Sequence, residues 1–186
     1  MGQHYLTLGL LSESSLKAHA TEMARILSRQ ESAPLLIGLE GELGSGKTTW
    51  VRAMLEGAGF VGQVPSPTYA LVEPYHLDKL TIAHLDLYRL ARCEDLEDLG
   101  IRDWLSQSQT WLLIEWPDRV PELKMRCDIL IQLKFVGSSG RFVSLAGQTH
   151  RGRAIVFKSP DDLNSRVDDP ELAVAPDNIF GHSSKA

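Results

Sequence analysis

Apolar residues along this chain fall into two kinds of run, and each predicts an element. Leu35–Leu39, after Pro34, and Trp111–Ile114 are continuous apolar stretches, the form of parallel strands buried on both faces. Leu16, Ala20, Met23, Ala24 and Leu27 recur at helical spacing and predict an amphipathic helix to about Arg29. The serines of Ser12-Glu13-Ser14-Ser15 suit the N-cap of that helix. Tyr5–Leu10 reads as a short edge strand. Thr49–Leu55 carries a second helix, with Gly57 and Gly59 as stop signals. Ala70–His76 and Thr81–Leu85, around a turn at Leu77-Asp78-Lys79, predict an antiparallel hairpin ending at Asp86. Glu94–Leu99 and Ile101–Leu105 read as short helices on either side of Gly100. Asp128–Phe135 and Arg141–Leu145 alternate well enough to be strands joined by Gly137-Ser138-Ser139-Gly140, and Arg153–Lys158 is expected to add one more. The order predicts an α/β domain over residues 1–158, in three layers, with a mostly parallel central sheet and antiparallel additions at its sides. From Ser159 to Ala186 there are three prolines, scattered acids and few large apolar residues, which predicts a disordered tail.

Between the strand at Leu35–Leu39 and the helix after it, Gly41-Glu42-Leu43-Gly44-Ser45-Gly46-Lys47-Thr48 matches G-x-x-x-x-G-K-[ST], the phosphate-binding loop. Glycines let the backbone curl with positive φ and approach a phosphate closely. The curl turns successive N–H groups inward as an anion nest, and the adjoining helix adds about half a positive charge at its N-terminus. Lys47 can place an ammonium on the β- and γ-phosphates, the Thr48 hydroxyl can ligate Mg²⁺, and Thr49 completes the binding stretch at the helix start. The fold expected is therefore a P-loop NTPase with ATP and Mg²⁺ as cofactors. The guanine-reading N-K-x-D is absent, as is D-x-x-G, which makes ATP the default over GTP.

Composition narrows the class. Hydrophobic residues make up 43% and charged residues 23% of the 186, ordinary for a globular protein. The formal net charge of −5 shows no basic stretch for gripping nucleic acid, so any nucleic acid is expected to be met through a partner. Two cysteines, Cys93 and Cys127, form no metal-ligand spacing. With no stretch of transmembrane length and no signal-peptide pattern, the expectation is a cytoplasmic protein that meets no membrane.

A nucleotide hydrolase also needs a carboxylate near its Mg²⁺, usually at the end of a buried strand. Glu115 ends Trp111–Ile114 in the apolar-then-acid form of a Walker B segment, or is a plain strand-end charge. Asp86 ends Thr81–Leu85, or is the N-cap of the segment after it. Ser66 and Thr68 offer hydroxyls on a proline-stiffened loop, as switch loops do, or lie in a surface turn. Trp116 packs beside the nucleotide or fills core. His84 shares a strand face with Asp86 and reads as a structural histidine ahead of a catalytic one. Arg89 offers a charge for phosphate or, the preferred reading, is the partner of a nearby acid.

GELGSGKTT (Gly41–Thr49), SPTYALV (Ser66–Val72), HLDLYRL (His84–Leu90), EDLEDLG (Glu94–Gly100) and LLIEWPDRV (Leu112–Val120) stand in one order. Together they resemble the TsaE family, also called YjeE, from about Thr7 to Leu145. The resemblance implies a bacterial ATPase that supports threonylcarbamoyladenosine (t6A) formation in tRNA and works with a TsaB–TsaD heterodimer. It carries Lys47 over as the phosphate lysine, Thr48 and Glu115 as Mg²⁺-site residues, and Asp86 as the water-orienting acid. Ser66-Pro67-Thr68 matches the family's switch-like loop, and Trp116 its tryptophan beside the metal-site Glu. The stretch past Ser159 has no counterpart. Two other readings remain: a small-molecule kinase with the same loop, and a nucleotide-gated adaptor that acts by binding alone.

Overall fold

The computed structural model describes residues 5–29, 34–90, 99–137 and 140–157. The predicted tail, Cys93 and most of the predicted helix Glu94–Leu99 lie outside them.

The chain runs β1 (Tyr5–Leu11), α1 (Glu13–Ser28), β2 (Leu35–Glu40), α2 (Lys47–Ala58), β3 (Val72–His76), β4 (Thr81–Asp86), α3 (Ile101–Ser106), β5 (Thr110–Glu115), a 3₁₀ turn (Pro117–Arg119), α4 (Pro121–Arg126), β6 (Ile129–Val136), β7 (Gly140–Gly147) and α5 (His150–Phe157). Among the described residues seven strands form one sheet in the order β1-β7-β6-β2-β5-β4-β3. The central pairs β6–β2, β2–β5 and β5–β4 are parallel. At one side β7 and β1 are added antiparallel, and at the other β3 closes the β3–β4 hairpin. This is the expected P-loop fold, a parallel core with antiparallel additions at both sides.

Two apolar clusters sandwich the sheet. Leu35, Ile37 and Leu39 of β2 face α1 and α2 with Trp50, Met54 and Leu55. Leu36, Leu112 and Ile114 face the other layer, with Ile101 of α3 and Leu123 of α4. Burying each such Leu, Ile or Met side chain contributes roughly 1.5–3 kcal/mol. Buried residues on both sides explain why β2 and β5 read as unbroken apolar runs instead of alternating ones.

Local chemistry sets the ends. Ser12 caps α1 by accepting from the Ser15 N–H at 3.2 Å. Gly59, at φ +104°, ends α2. Gly57, expected to be a stop, lies inside α2 for a packing reason. A Cβ there would fall 2.3 Å from the Thr21 carbonyl oxygen, so glycine lets α1 and α2 lie close together.

The structure corrects one element. Arg153–Lys158 was expected as a strand, but His150–Phe157 is a helix. Thr149 decides this, because its Oγ1 accepts the Gly152 N–H at 3.0 Å and its carbonyl accepts the Arg153 N–H at 2.9 Å, an N-cap that precedes the apolar residues. Gly152 then sits so close to the Asp128 carbonyl that a Cβ would lie 1.8 Å from it. Among the described residues no helix is long and apolar enough to cross a membrane.

Candidate functional site

β2 ends at Glu40 and the chain turns through the loop Gly41–Gly46 into α2. Gly41, Gly44 and Gly46 have φ of +144°, +79° and +108°. A Cβ on Gly41 would fall 2.2 Å from the Leu133 carbonyl oxygen and 2.6 Å from Ser45 Oγ, so only glycine fits there. Lys47, Thr48 and Thr49 open α2, and N–H groups in a first helical turn have no intrahelical acceptor. Gly46, the N-cap, has no side chain to satisfy them. The Ser45 hydroxyl is buried inside the loop and has no hydrogen-bond partner among the described residues. Unpaired donors, a helix N-terminus and a backbone with no room for side chains are what a phosphate group needs.

The acids reach the loop through strand order. β5 lies beside β2, and β4 beside β5, so the C-terminal ends of all three are neighbours. Asp86 and Glu115 are register partners on adjacent parallel strands, hence side by side on the α2 face. Thr48 Oγ1 donates to Glu115 Oε2 at 3.1 Å. Thr68 Oγ1 donates to Asp86 Oδ2 at 3.0 Å, and the Ser66 and Thr68 hydroxyls are 2.8 Å apart. Asp86 Oδ1 accepts the Tyr88 N–H at 3.0 Å, so this carboxylate also caps the turn after β4. Thus Thr48, Ser66, Thr68, Asp86 and Glu115 meet at one place, although their segments are far apart in sequence.

Lys47 is buried at the centre of this group. Its ammonium donates to the carbonyls of Gly41 and Glu42 at 2.8 and 2.9 Å. It also lies 3.7 Å from the centroid of the Trp116 ring. Burial pushes its pKa below the ordinary lysine range, while Glu115, Asp86 and Asp118 pull the other way. Trp116 has φ +59°, a conformation that costs a bulky residue of order 1–3 kcal/mol. The strain places its half-buried indole beside the loop and against Tyr88, with ring centroids 5.0 Å apart. Glu42 and Leu43 are exposed on the loop, Leu43 at 74%. A hollow of about 560 Å³ adjoins the site, with Gly41, Glu42, Trp116, Asp118 and Lys124 in its wall.

Several contacts were not read from the sequence. His84 is fully buried with its Nε2 2.8 Å from Glu115 Oε1. Glu40, which leads into the loop, is held from behind by Lys124 of α4 and by Gln132 Nε2 at 3.1 Å. The acid at the end of an apolar strand run was the only sequence signal for Glu40, since its partners lie far along the chain. Arg89, expected to pair with an acid, lies over the exposed ring of Tyr69 at 4.4 Å, and among the described residues no acid is paired with it.

Comparison with known proteins fits this geometry. The family model for the threonylcarbamoyl adenosine biosynthesis protein TsaE matches residues 10–143. The tRNA threonylcarbamoyladenosine biosynthesis protein TsaE of Haemophilus influenzae is 38% identical over 152 residues, 81% of this chain and 95% of that protein. The protein of the same name from Aquifex aeolicus is 32% identical over 138 residues, covering 73% and 92% of the two chains. A crystal structure of Bacillus subtilis YdiB superposes with a TM-score of 0.67 over 83% of this chain and 93% of that one, at 22% identity. With a family match over most of its length and relatives covered almost end to end, this chain belongs to the TsaE family of tRNA threonylcarbamoyladenosine biosynthesis proteins.

Proposed function

We propose that this chain is a Mg²⁺-dependent ATPase that supports t6A formation in tRNA, in complex with a TsaB–TsaD heterodimer. The observation that carries the reading is the meeting of Lys47, Thr48, Asp86 and Glu115 at the C-terminal ends of three adjacent strands. The phosphates of ATP are taken by N–H groups of the stretch 42–49, Ser45 excepted because its N–H donates to the Glu42 carbonyl at 3.1 Å, and by the Lys47 ammonium. The orphaned Ser45 hydroxyl and the side-chain-free cradle at Gly41 fit that role. The Thr48 hydroxyl and Glu115 carboxylate are the donors for Mg²⁺, an ion commonly bound through one or two carboxylates plus substrate phosphates. When bound, Mg²⁺ neutralises charge that develops on the transferring phosphoryl group. Asp86 orients the attacking water, and Ser66 and Thr68 tie the loop after α2 to that acid. Trp116 flanks the nucleotide beside Lys47.

The partner dependence rests on the openness of the site and on charge. Leu43 on the phosphate-binding loop and Tyr69, next to Thr68 on the segment after α2, are exposed at 74% and 85%, and a partner covering them would exclude water. The net charge of −5 favours tRNA being met through that partner. The test is ATP affinity and steady-state turnover of the chain alone and with saturating TsaB–TsaD. Slow hydrolysis alone, stimulation by the pair and tightening of assembly by ATP are expected, and linkage then requires assembly to tighten ATP by the same factor. ATP binding without turnover in either case would leave a nucleotide-gated adaptor, and indifference of both ATP binding and turnover to the pair would refute the coupling.

A further inference from the structure

His84 lies on β4 two residues before Asp86, wholly inside the α2 side of the sheet, beside Leu113 of β5. An apolar side chain would fill such a place without burying polar atoms. The imidazole instead makes a polar contact from Nε2 to Glu115 Oε1 at 2.8 Å, while its Nδ1 is buried with no partner among the described residues. Glu115 receives the Thr48 hydroxyl on its other oxygen, at 3.1 Å. The carboxylate oxygen accepts here, so Nε2 carries the hydrogen and donates it. Glu115 is therefore held between two donors, one from the strand beside it and one from the start of α2. Without His84, Oε1 would be a buried acceptor without that donor, and the Thr48 hydroxyl on Oε2 would be left to hold the carboxylate by one oxygen.

We propose that His84 is a positioning residue: it locks the Glu115 carboxylate in the orientation that presents Oε2 to Thr48, and thereby sets the affinity of the site for Mg²⁺ with nucleotide. This rests on the reading that Thr48 and Glu115 form the metal site. Groups that orient a metal's ligands typically change its affinity roughly 10–100-fold when removed.

The experiment measures binding of a non-hydrolysable ATP analogue to the full chain as Mg²⁺ is titrated, beginning from a chelator. His84→Leu should raise the Mg²⁺ concentration at half effect by about tenfold or more. Analogue affinity in the chelator should stay at the wild-type value. His84→Gln, which puts an amide N–H near the place of Nε2, should recover most of the loss. A second readout uses the unmodified side chain: imidazole nitrogen NMR should find the Nε2–H tautomer, with its proton resonance moved in Glu115→Gln. A folded His84→Leu with an unchanged Mg²⁺ midpoint, in a series where Glu115→Gln does shift it, would show that His84 only fills the core. An Nδ1–H tautomer in the wild-type protein would overturn the proposal even if His84→Leu failed to fold. Wild-type analogue binding indifferent to Mg²⁺, or a Glu115→Gln midpoint equal to wild type, would overturn the metal-site reading itself and this inference with it.

Discussion

Replacing Lys47 by Met separates what the ammonium does for the fold from what it does for the substrate. The side chain is only 4% exposed, so Met, which keeps most of the stem's volume, avoids the cavity that Ala would leave. The change removes two hydrogen bonds to carbonyls, at 2.8 and 2.9 Å, and the contact with the Trp116 ring. Hydrogen bonds to a charged group contribute about 1.5–3 kcal/mol each. Against that loss, the native state no longer buries an ammonium, whose cost is visible in the lowered Lys47 pKa. The opposing effects leave a net stability change of about 2 kcal/mol or less, a shift in Tm of roughly 4–8 °C at most for a chain this long. Catalysis has no such offset. With the partner covering the site, one charge-stabilising contact supplies roughly 2.7–4 kcal/mol in the transition state, so turnover at saturating ATP should fall by about 10²–10³. The assay is steady-state phosphate release with the partner pair present, beside a thermal melt of the same preparation. A well-folded Lys47→Met protein that hydrolyses ATP at close to the wild-type rate would refute the phosphate-loop assignment.

Other expected outcomes are more local. Glu115→Gln should raise the Mg²⁺ requirement, whereas Asp86→Asn should lower turnover with nucleotide affinity nearly intact, and metal dependence that tracked Asp86 would reverse the two roles. Gly57→Ala should destabilise in a denaturant melt despite the roughly 1 kcal/mol that helix propensity favours, because its Cβ would lie 2.3 Å from Thr21 O and force α1 off α2; a rise in stability would contradict that close approach. Burial, reinforced by Asp128 and Glu40, pushes the Cys127 thiol up to about 12, so an alkylating reagent at pH ~8 should leave Cys127 unmodified in the native protein, as read by peptide mapping. The native state keeps a proton that the unfolded chain gives up, so this thiol's contribution to stability should be lost as pH rises from about 9 towards about 12, and Cys127→Ala should flatten that part of the pH–stability curve.

Much of the fold was legible because its strongest signals are local. An apolar run succeeded by glycines and Lys-Thr is a contiguous stretch, and β2, the loop and α2 come from it directly. Where the reading failed, the deciding contact was either a cap or a distant backbone. Thr149 turned Arg153–Phe157 into a helix through two hydrogen bonds that apolar alternation does not register. Gly57 looked like a stop because its real reason, Thr21 on another helix, is not in its neighbourhood. The site divides in the same way. Lys47 and Thr48 were found from spacing alone, whereas the contacts among Thr48, His84, Asp86 and Glu115 depend on strand order. Nothing in the sequence of β4 says that it lies beside β5, and with that register unknown His84 read as a structural histidine ahead of a catalytic one.

The arrangement around Asp86 connects the loop after α2 to the chemistry proposed for the site. Thr68 has one hydroxyl hydrogen and gives it to Asp86 Oδ2 at 3.0 Å, so across the 2.8 Å contact between the hydroxyls Ser66 is the donor to Thr68. The 3.5 Å separation of Ser66 Oγ from the same carboxylate is then a minor contact. Asp86 Oδ1 takes the Tyr88 N–H at 3.0 Å. A carboxylate has roughly four lone-pair sites, and these two donors leave acceptor capacity on it. It can therefore hold a water while it holds the loop, and ordering the loop and aiming a water do not compete for the same lone pairs. The stiffness of Pro65-Ser66-Pro67 lowers the entropy lost when Ser66 and Thr68 come to rest on Asp86.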